Sequence, residues 1–262
     1  MSKINGPRIL TLDIETRPIE AYVWGLWQQN VAVNQIKEDR HILSVAAKWV
    51  GEREMFYFDL RHAITLEGEK RLLEKLANLM NKADVLLGQN IDAFDLPIIK
   101  GRMAAQGLKP LKTLRTIDTK KLAKKMGFTS NRLEYLSEKL CTKYKKLKHK
   151  KYPGFELWLA CLAGDKAAWE EMEKYNKHDV LSTEELYTKL APWGTGINAS
   201  TYIKDSHPRC TSCGSEHLVP RGWKYTDTGK YRQYVCKDCG AWPRGSHNFL
   251  TPEKKASLRR RT

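Results

Sequence analysis

Two Cys-x2-Cys pairs near the C-terminus restrict the fold of that region more than any other feature of the 262-residue sequence. Cys210 and Cys213 form the first pair, and Cys236 and Cys239 form the second pair, 22 residues later. A glycine follows each pair and permits the tight turn that aims two sulfur atoms at one ion. Four thiolates at this spacing are typical of a closed tetrahedral zinc site. We therefore expect one structural Zn²⁺ here, with iron or redox-active disulfides as the alternatives.

The composition limits what the rest of the chain can be. Hydrophobic residues make up 41% of the sequence, which is enough for a packed core. No apolar run reaches the ~18–20 residues of a membrane span, and the N-terminus lacks the apolar segment of a secretion signal. We therefore expect a cytoplasmic protein with no membrane partner. In such a compartment cysteines bind metals more often than they form disulfides.

The positive charge of the chain is concentrated in two segments. The formal net charge is +16, of which residues 196–262 carry +8 and residues 120–151 carry +10, so that the remainder nets −2. An excess of this size is typical of proteins that bind a polyanion, most often nucleic acid. Within the second segment, tyrosines alternate with lysines between residues 143 and 152, which favours a surface that follows a phosphate backbone. A solvated lysine-rich loop is the alternative interpretation.

Hydrophobic periodicity predicts a layered α/β domain before residue 192. Strands are predicted at residues 8–14, 42–50, 55–58, 83–88 and 114–117, and helices at 66–80, 95–106, 119–126, 131–141, 156–163 and 166–190. Strands that are followed by alternating helices and strands indicate an α/β or α+β fold. The Pro- and Gly-containing stretch at 192–196 then interrupts the pattern. We expect one domain at 1–192, a metal-stapled domain at 197–250 and a basic tail at 251–262.

Acidic residues stand at the ends of several predicted elements of the first domain. Asp13 and Glu15 are two positions apart at the end of the first strand, so both carboxylates point to the same side of it. Asp95 lies near the start of a helix and can reach into a cleft. Tyr175 and Asp179 are four positions apart and share one helical face. Carboxylates that converge at a buried site repel each other unless they are protonated or neutralised by a cation.

These three motifs, in this order, resemble those of the DEDD or DnaQ-like 3′–5′ exonucleases. The motifs are Asp-x-Glu after the first strand, Asn-x-x-x-Phe-Asp at residues 90–95, and Tyr-x-x-x-Asp at residues 175–179. The tyrosine places the resemblance closest to the DEDDy branch, since the histidine-bearing branch would need histidine at the position of Lys174. The opening segment, with Tyr22, Trp24 and Trp27 after its acidic pair, is similar to stand-alone exonucleases often encoded by bacteriophages.

The resemblance implies an RNase H-like mixed sheet flanked by helices, with two catalytic Mg²⁺ or Mn²⁺ ions. Asp13, Glu15, Asp95 and Asp179 would supply hard oxygen ligands, which suit these metals. By analogy with the family, Asp13 would bridge the ions, Glu15 and Asp179 would hold the ion on the nucleophile side, and Asp95 would assist the other. Tyr175 would orient the attacking water, because a phenol with a pKa near 10 is a poor base.

The cysteine segment is similar to the zinc ribbons of transposases and transcription factors. Basic and aromatic residues alternate between its two cysteine pairs, and this pattern favours a nucleic-acid-binding surface. A protein-binding or purely structural ribbon is the alternative. The residues that we predict to contact nucleic acid are Lys145, Lys146, Lys148, Arg221, Lys224, Lys230 and Arg232.

Together these features predict a metal-dependent 3′–5′ exonuclease that hydrolyses DNA, helped by a nucleic-acid-binding ribbon. The expected substrate is single-stranded DNA or a 3′ end, and the expected partners include a DNA polymerase or another replication or recombination protein. RNA stays open as a substrate, and so does a structure-selective endonuclease on the same carboxylates. A non-catalytic DNA-binding adaptor is the third hypothesis, and the complete set of carboxylates argues against it.

Overall fold

The computed structural model describes residues 6–145, 147, 151–194 and 196–260. Two of the residues predicted to contact nucleic acid, Lys146 and Lys148, lie outside this range. The described residues form two compact units, of which Arg8–Leu186 is one and residues 6–7 together with 187–260 are the other. Among the described helices, none is both long enough and apolar enough to cross a membrane.

A five-stranded mixed sheet forms the centre of the first unit. Its strands are β1 (Ile9–Thr16), β4 (Ile42–Trp49), β5 (Met55–Asp59), β6 (Val85–Gly88) and β7 (Arg115–Asp118), in the spatial order β5-β4-β1-β6-β7. The hairpin β4–β5 pairs antiparallel with β1, whereas β6 and β7 run parallel to it. A short antiparallel pair, β2 (Glu20–Ala21) and β3 (Ile36–Glu38), lies outside this sheet. The predicted α/β class is confirmed.

In the part of the chain that the structure describes, six helices accompany the sheet. They are α1 (Leu66–Met80), α2 (Asp95–Ala105), α3 (Thr119–Lys124), α4 (Leu133–Leu140), α5 (Glu156–Leu162) and α6 (Lys166–Leu190). All eight residues of β4 are buried, as expected for a strand that is covered on both faces. Leucines of α1, Ile99 of α2 and Trp169 of α6 share one core with the apolar residues of β1 and β4. The helices therefore flank the sheet, as an RNase H-like arrangement requires.

A buried ion pair connects two of these helices to the sheet. Glu69 of α1 has no solvent exposure, and its carboxylate accepts hydrogen bonds from the guanidinium of Arg102 on α2 at 2.6 and 2.9 Å. The same carboxylate accepts the backbone N–H of Ile42 at 2.9 Å and the side-chain amide of Gln106 at 2.9 Å. A buried charge is tolerated only when it is paired and hydrogen-bonded in this way.

The second unit is built on an antiparallel hairpin, β8 (Leu218–Thr226) and β9 (Gly229–Cys236), followed by helix α7 (Pro252–Ser257). A bulge between Pro220 and Trp223 shifts the register of the hairpin. Gly222 has a positive φ of 72° at this bulge, a conformation that glycine adopts without steric cost. Among the described residues of this unit, no long helix is present besides the end of α6.

Candidate active site and zinc site

Strand β1 holds the first two predicted catalytic residues at the centre of the sheet. Asp13 and Glu15 are half-buried on one side of the strand, while Ile14 between them is buried on the other. Both positions pair with β4, where Asp13 lies opposite Ala46 and Glu15 opposite Ser44. Because both residues lie in regular pairing with β4, the spacing of their backbone positions is set by the sheet.

Asp95 reaches the same strand from the first turn of α2. Its side chain is 2% exposed, and its Oδ1 accepts the backbone N–H of Ile14 at 3.1 Å. This bond places the Asp95 carboxyl beside the segment that carries Asp13 and Glu15. Burial raises the pKa of Asp95 to about 7 and the charge of Asp118 adds to the rise, although the N–H bonds oppose it. At this pKa the surrounding groups do not compensate the negative charge of the Asp95 carboxylate, and a cation would stabilise that charged form.

Asp118 organises the loop that leads into α2, a role that the sequence analysis did not assign. It ends β7, and its Oδ1 accepts the backbone N–H groups of Asn90 at 3.0 Å and Lys120 at 3.0 Å. Asn90 has a positive φ of 65°, which asparagine tolerates better than most residues. One carboxylate thus caps α3 and shapes the turn before Asp95. An aspartate between a strand and a helix was the sequence signal for the cap.

Helix α6 brings Tyr175 and Asp179 to the carboxylates of β1. Both side chains are buried. The pKa of Tyr175 is raised strongly, first by burial and then by the negative charges of Asp179, Glu15 and Asp13, and a hydrogen bond to Asp179 raises it further. The phenol therefore lies in the field of three of the predicted carboxylates and stays protonated at neutral pH. It can donate a hydrogen bond, and a phenol is in any case a poor base.

Asn176, next to Tyr175 on α6, was also missed by the sequence analysis. It is fully buried, and its Nδ2 donates to Asp13 Oδ2 at 2.6 Å and to the Asp13 carbonyl oxygen at 3.2 Å. Its Oδ1 accepts the hydroxyl of Ser44 at 3.1 Å. The two Asp13 oxygens can only accept, so they fix which way the amide points. No sequence pattern indicates this contact, because the two residues are 163 positions apart.

The donor atoms of the four predicted carboxylates do not form a close cluster. Among the described residues, two groups of possible metal ligands have all their donor atoms within 4.8 Å of one another, and the four carboxylates are not one of them. Hard oxygen donors, one of them buried with a raised pKa, nevertheless fit Mg²⁺ or Mn²⁺. These residues would hold the ions, and the ions would supply charge stabilisation for phosphoryl chemistry.

The four paired cysteines form one of those two groups. The Sγ atoms of Cys210 and Cys239 are 3.6 Å apart, and those of Cys213 and Cys236 are 3.7 Å apart. Zn–S bonds of about 2.3 Å in a tetrahedron place sulfur atoms about 3.8 Å apart, so the set fits zinc. Gly214 and Gly240 have positive φ values of 76° and 79°, as the two tight turns require. The other two cysteines, Cys141 and Cys161, are buried.

The thiols of Cys210, Cys213 and Cys239 influence one another's pKa. Hydrogen bonding from the Cys213 thiol lowers the pKa of Cys210 to about 5, which favours a thiolate there. Loss of that bond, together with burial, raises the pKa of Cys213. Burial raises the pKa of Cys239 to about 11. Several sulfurs this close cannot all be charged without a cation, and a divalent metal ion would supply the compensation.

The other close group of metal-type ligands is already neutralised by an arginine. Asp205, His207 and Glu216 are exposed, and the guanidinium of Arg209 donates to the carboxylates of Asp205 and Glu216. This ion-pair network stabilises the turn before Cys210 and explains the cluster without a metal ion.

The hairpin displays four of the cations predicted to contact nucleic acid. Lys230 Nζ lies 4.4 Å from the centre of the Trp223 ring, and the Arg232 guanidinium lies 5.1 Å from it. Arg221 and Lys224 are exposed. The structure thus brings the cations together with aromatic rings, an arrangement that supports binding to a phosphate backbone and its bases.

Lys145, the described member of the other predicted group, is anchored to α6. Its backbone carbonyl accepts a hydrogen bond from His178 Nε2, and its ammonium is 3.0 Å from Glu138. The three residues before Lys145, at positions 142–144, donate their backbone N–H groups to the Glu185 carboxylate of α6 at 2.7–3.2 Å. Burial opposes the effect, but these N–H bonds lower the pKa of Glu185 to about 2. The start of the lysine-rich segment is therefore attached to the helix that carries Tyr175.

Three comparisons place the chain among known proteins. Residues 10–191 match a family model that is described as the RNase_H superfamily. Comparison with curated proteins gave no match. Among solved structures, the chain is similar to the family B DNA polymerase from the hyperthermophilic archaeon Pyrobaculum calidifontis, with 17% identity and a TM-score of 0.49. That match covers 75% of this chain and 26% of the polymerase, so the chain spans about a quarter of its length.

Proposed function

The chain belongs to the RNase H superfamily, and from this membership we propose that it is a DEDDy-type 3′–5′ exonuclease that hydrolyses DNA. The observation that carries the proposal is the environment of Tyr175. Its hydroxyl lies in the field of Asp13, Glu15 and Asp179, and Asp95 is bonded to the strand between the first two. Three distant segments of the chain thus converge on one end of the sheet.

Each residue of this set has a role that its environment supports. Asp13, Glu15, Asp95 and Asp179 would hold two Mg²⁺ or Mn²⁺ ions. When bound, such ions would stabilise the charge that develops on the attacking and leaving oxygens of an in-line phosphoryl displacement. Tyr175 stays protonated and donates a hydrogen bond, so we assign it to orienting the attacking water. Asn176 would hold the Asp13 carboxylate in one orientation.

The second unit would hold the substrate. In this proposal residues 1–192 form the nuclease domain, residues 197–250 form a zinc ribbon with one structural Zn²⁺, and residues 251–262 form a basic tail. The ribbon cations Arg221, Lys224, Lys230 and Arg232, together with Lys145, would contact phosphates. A single-stranded 3′ end is the substrate that we propose, and a polymerase or another replication protein is the proposed partner.

The test is digestion of DNA labelled at its 5′ end, with Mg²⁺ or Mn²⁺ present. A 3′–5′ exonuclease produces a ladder that shortens from the 3′ end and releases mononucleotides. Asp13→Asn and Asp179→Asn should abolish activity, and Tyr175→Phe should reduce it less severely. The matched control is Glu67→Gln, which removes an exposed carboxylate on α1 and should leave activity unchanged.

Other substrates separate this proposal from its alternatives. Circular single-stranded DNA has no ends, so its cleavage would indicate an endonuclease. Faster degradation of RNA than of DNA would indicate a ribonuclease on the same carboxylates. DNA binding without cleavage of any substrate would indicate an adaptor. Wild-type activity in Asp13→Asn would overturn the assignment of the site.

A further inference from the structure

One face of the ribbon hairpin contains a cleft that the proposed function does not use. The cleft has a volume of about 520 Å³ and is lined by Tyr231, Trp242, Pro243 and Arg244, among others. This volume lies within the range of about 300–1,000 Å³ that is typical of small-ligand sites. Trp242 is 57% exposed, so its ring is accessible to a ligand.

The walls of the cleft combine aromatic and cationic groups. The guanidinium of Arg244 lies 3.9 Å from the centre of the Tyr231 ring. The ring of Tyr231 packs against the backbone of Gly229. A Cβ at position 229 would overlap this ring, so the contact requires glycine. Lys224 is the register partner of Tyr231 and belongs to the same face of the hairpin. Stacking surfaces beside cations match the two parts of a nucleotide, the base and the phosphate.

The opposite face of the hairpin offers a poorer site for a base. There Trp223 is half-buried, contacts Phe249 edge-to-face at 5.0 Å, and is covered by Lys230 and Arg232. Tyr225 on that face is 63% exposed near the turn of the hairpin. The cations of that face can follow a backbone, but its largest ring is already occupied.

We propose that the Trp242–Tyr231–Arg244 cleft binds one unstacked nucleotide of single-stranded DNA. The base would stack on Trp242, and Arg244 and Lys224 would contact the adjacent phosphates. The inference rests on the proposed function for its ligand, and it adds a specific binding site to the general phosphate contacts of the ribbon. Unpaired strands are the ligand because a base inside a duplex cannot enter the cleft.

The experiment is fluorescence anisotropy of the full-length protein with a labelled oligo(dT) of about 20 nucleotides, with Ca²⁺ replacing Mg²⁺ to suppress cleavage. Trp242→Ala should weaken binding about 5- to 140-fold, the range expected for one stacked base. Trp242→Phe should restore most of the affinity, because it keeps an aromatic ring. Tyr225→Ala removes an exposed ring of the opposite face and is the matched control. Blunt duplex DNA should bind all four proteins equally.

Each outcome decides the proposal. Unchanged oligo(dT) affinity in Trp242→Ala, or a larger loss in Tyr225→Ala, would overturn it. The proposal would also be overturned if Trp242→Ala lost affinity equally for duplex DNA, or lost affinity only for a matching oligo(U) RNA. Zinc content and the melting temperature of each variant establish that the ribbon stays folded. Cleavage by Trp242→Ala at saturating DNA tests the proposed function separately. The variant can lose affinity for oligo(dT) and still cleave, or it can keep its affinity in a protein that does not cleave.

Discussion

The side-chain amide of Asn176 donates a hydrogen bond to Asp13 Oδ2 at 2.6 Å. This contact joins helix α6 to the central strand at the candidate active site, and the hydroxyl of Ser44 keeps the amide oriented from its other end. Asn176 lies next to Tyr175, so one turn of α6 both supplies a hydrogen-bond donor and holds a carboxylate. The orientation of the Asp13 carboxylate therefore depends on Asn176, a neutral residue to which we assign no direct part in the reaction.

We expect Asn176→Ala to lower activity about 10- to 100-fold, the usual effect of removing a group that orients a metal ligand. Ser44→Ala should have a smaller effect, because it leaves the donor to Asp13 in place. The concentration of Mg²⁺ that gives half-maximal activity, and direct titration of Mn²⁺ binding, should both shift in Asn176→Ala. Asn81→Ala, an exposed asparagine of the same unit, is the control. Unchanged metal binding in Asn176→Ala would show that the contact does not position Asp13.

Purified protein should contain about one tightly bound zinc per chain. The four sulfurs would form a closed thiolate site, whereas the carboxylates would form an open one whose ions exchange freely. Elemental analysis after gel filtration measures the metal content. Cys213→Ser should lose the zinc and unfold the hairpin, while His217→Ala should keep it, because His217 bonds to Asp238 rather than to the cluster. Protein that carries neither zinc nor iron would contradict the site.

Replacing Arg221, Lys224, Lys230 and Arg232 with glutamine should weaken the salt dependence of DNA binding. Each lysine or arginine that contacts a phosphate releases counterions, so the slope of log K against log salt should decrease by about 0.7 per lost contact on single strands. The matched control replaces four exposed lysines of the first unit, at positions 82, 100, 109 and 112. Anisotropy across a salt series measures both. An equal change in slope for the two sets would mean that the ribbon cations do not contact DNA specifically.

The Glu69–Arg102 pair should contribute strongly to stability in a pH-dependent way. Arg102→Ala leaves the fully buried Glu69 carboxylate without its partner. We expect this variant to lower the free energy of unfolding by about 3–5 kcal/mol at pH 7. Arg71→Ala breaks an exposed pair with Glu67 and should cost less than about 1 kcal/mol. Urea denaturation measures both variants.

The pH dependence follows from the direction of the pKa shift. Burial alone would raise the pKa of Glu69, but bonds from Arg102, Ile42 and Gln106 lower it below its ordinary value of 4.5. The stabilisation is therefore complete above about pH 4.5 and is lost as the pH falls through the folded-state pKa. The difference in the free energy of unfolding between wild type and Arg102→Ala should become smaller as the pH falls through that range. A difference that stays constant down to pH 3.5 would refute the assignment.

Sequence patterns were sufficient for the elements whose signal is local. The predicted helices at 66–80 and 166–190 have the observed bounds of α1 and α6, because their apolar periodicity is long and continuous. The strands of the main sheet were also predicted, within two residues at each end. The short β2–β3 pair and the hairpin β8–β9 were not predicted, since their strands are short or mostly polar and carry little periodic signal.

The sequence by itself determined which residues could carry chemistry: the acidic motifs, the tyrosine and the four cysteines, each recognisable from spacing along the chain. Only the tertiary structure decided their environments. Asp95 acquires its raised pKa by burial, and Asn176 contacts Asp13 across 163 residues. The physical reason is that desolvation and hydrogen bonding depend on distances in space, which the packing of α2 and α6 against β1 sets and which no local pattern encodes.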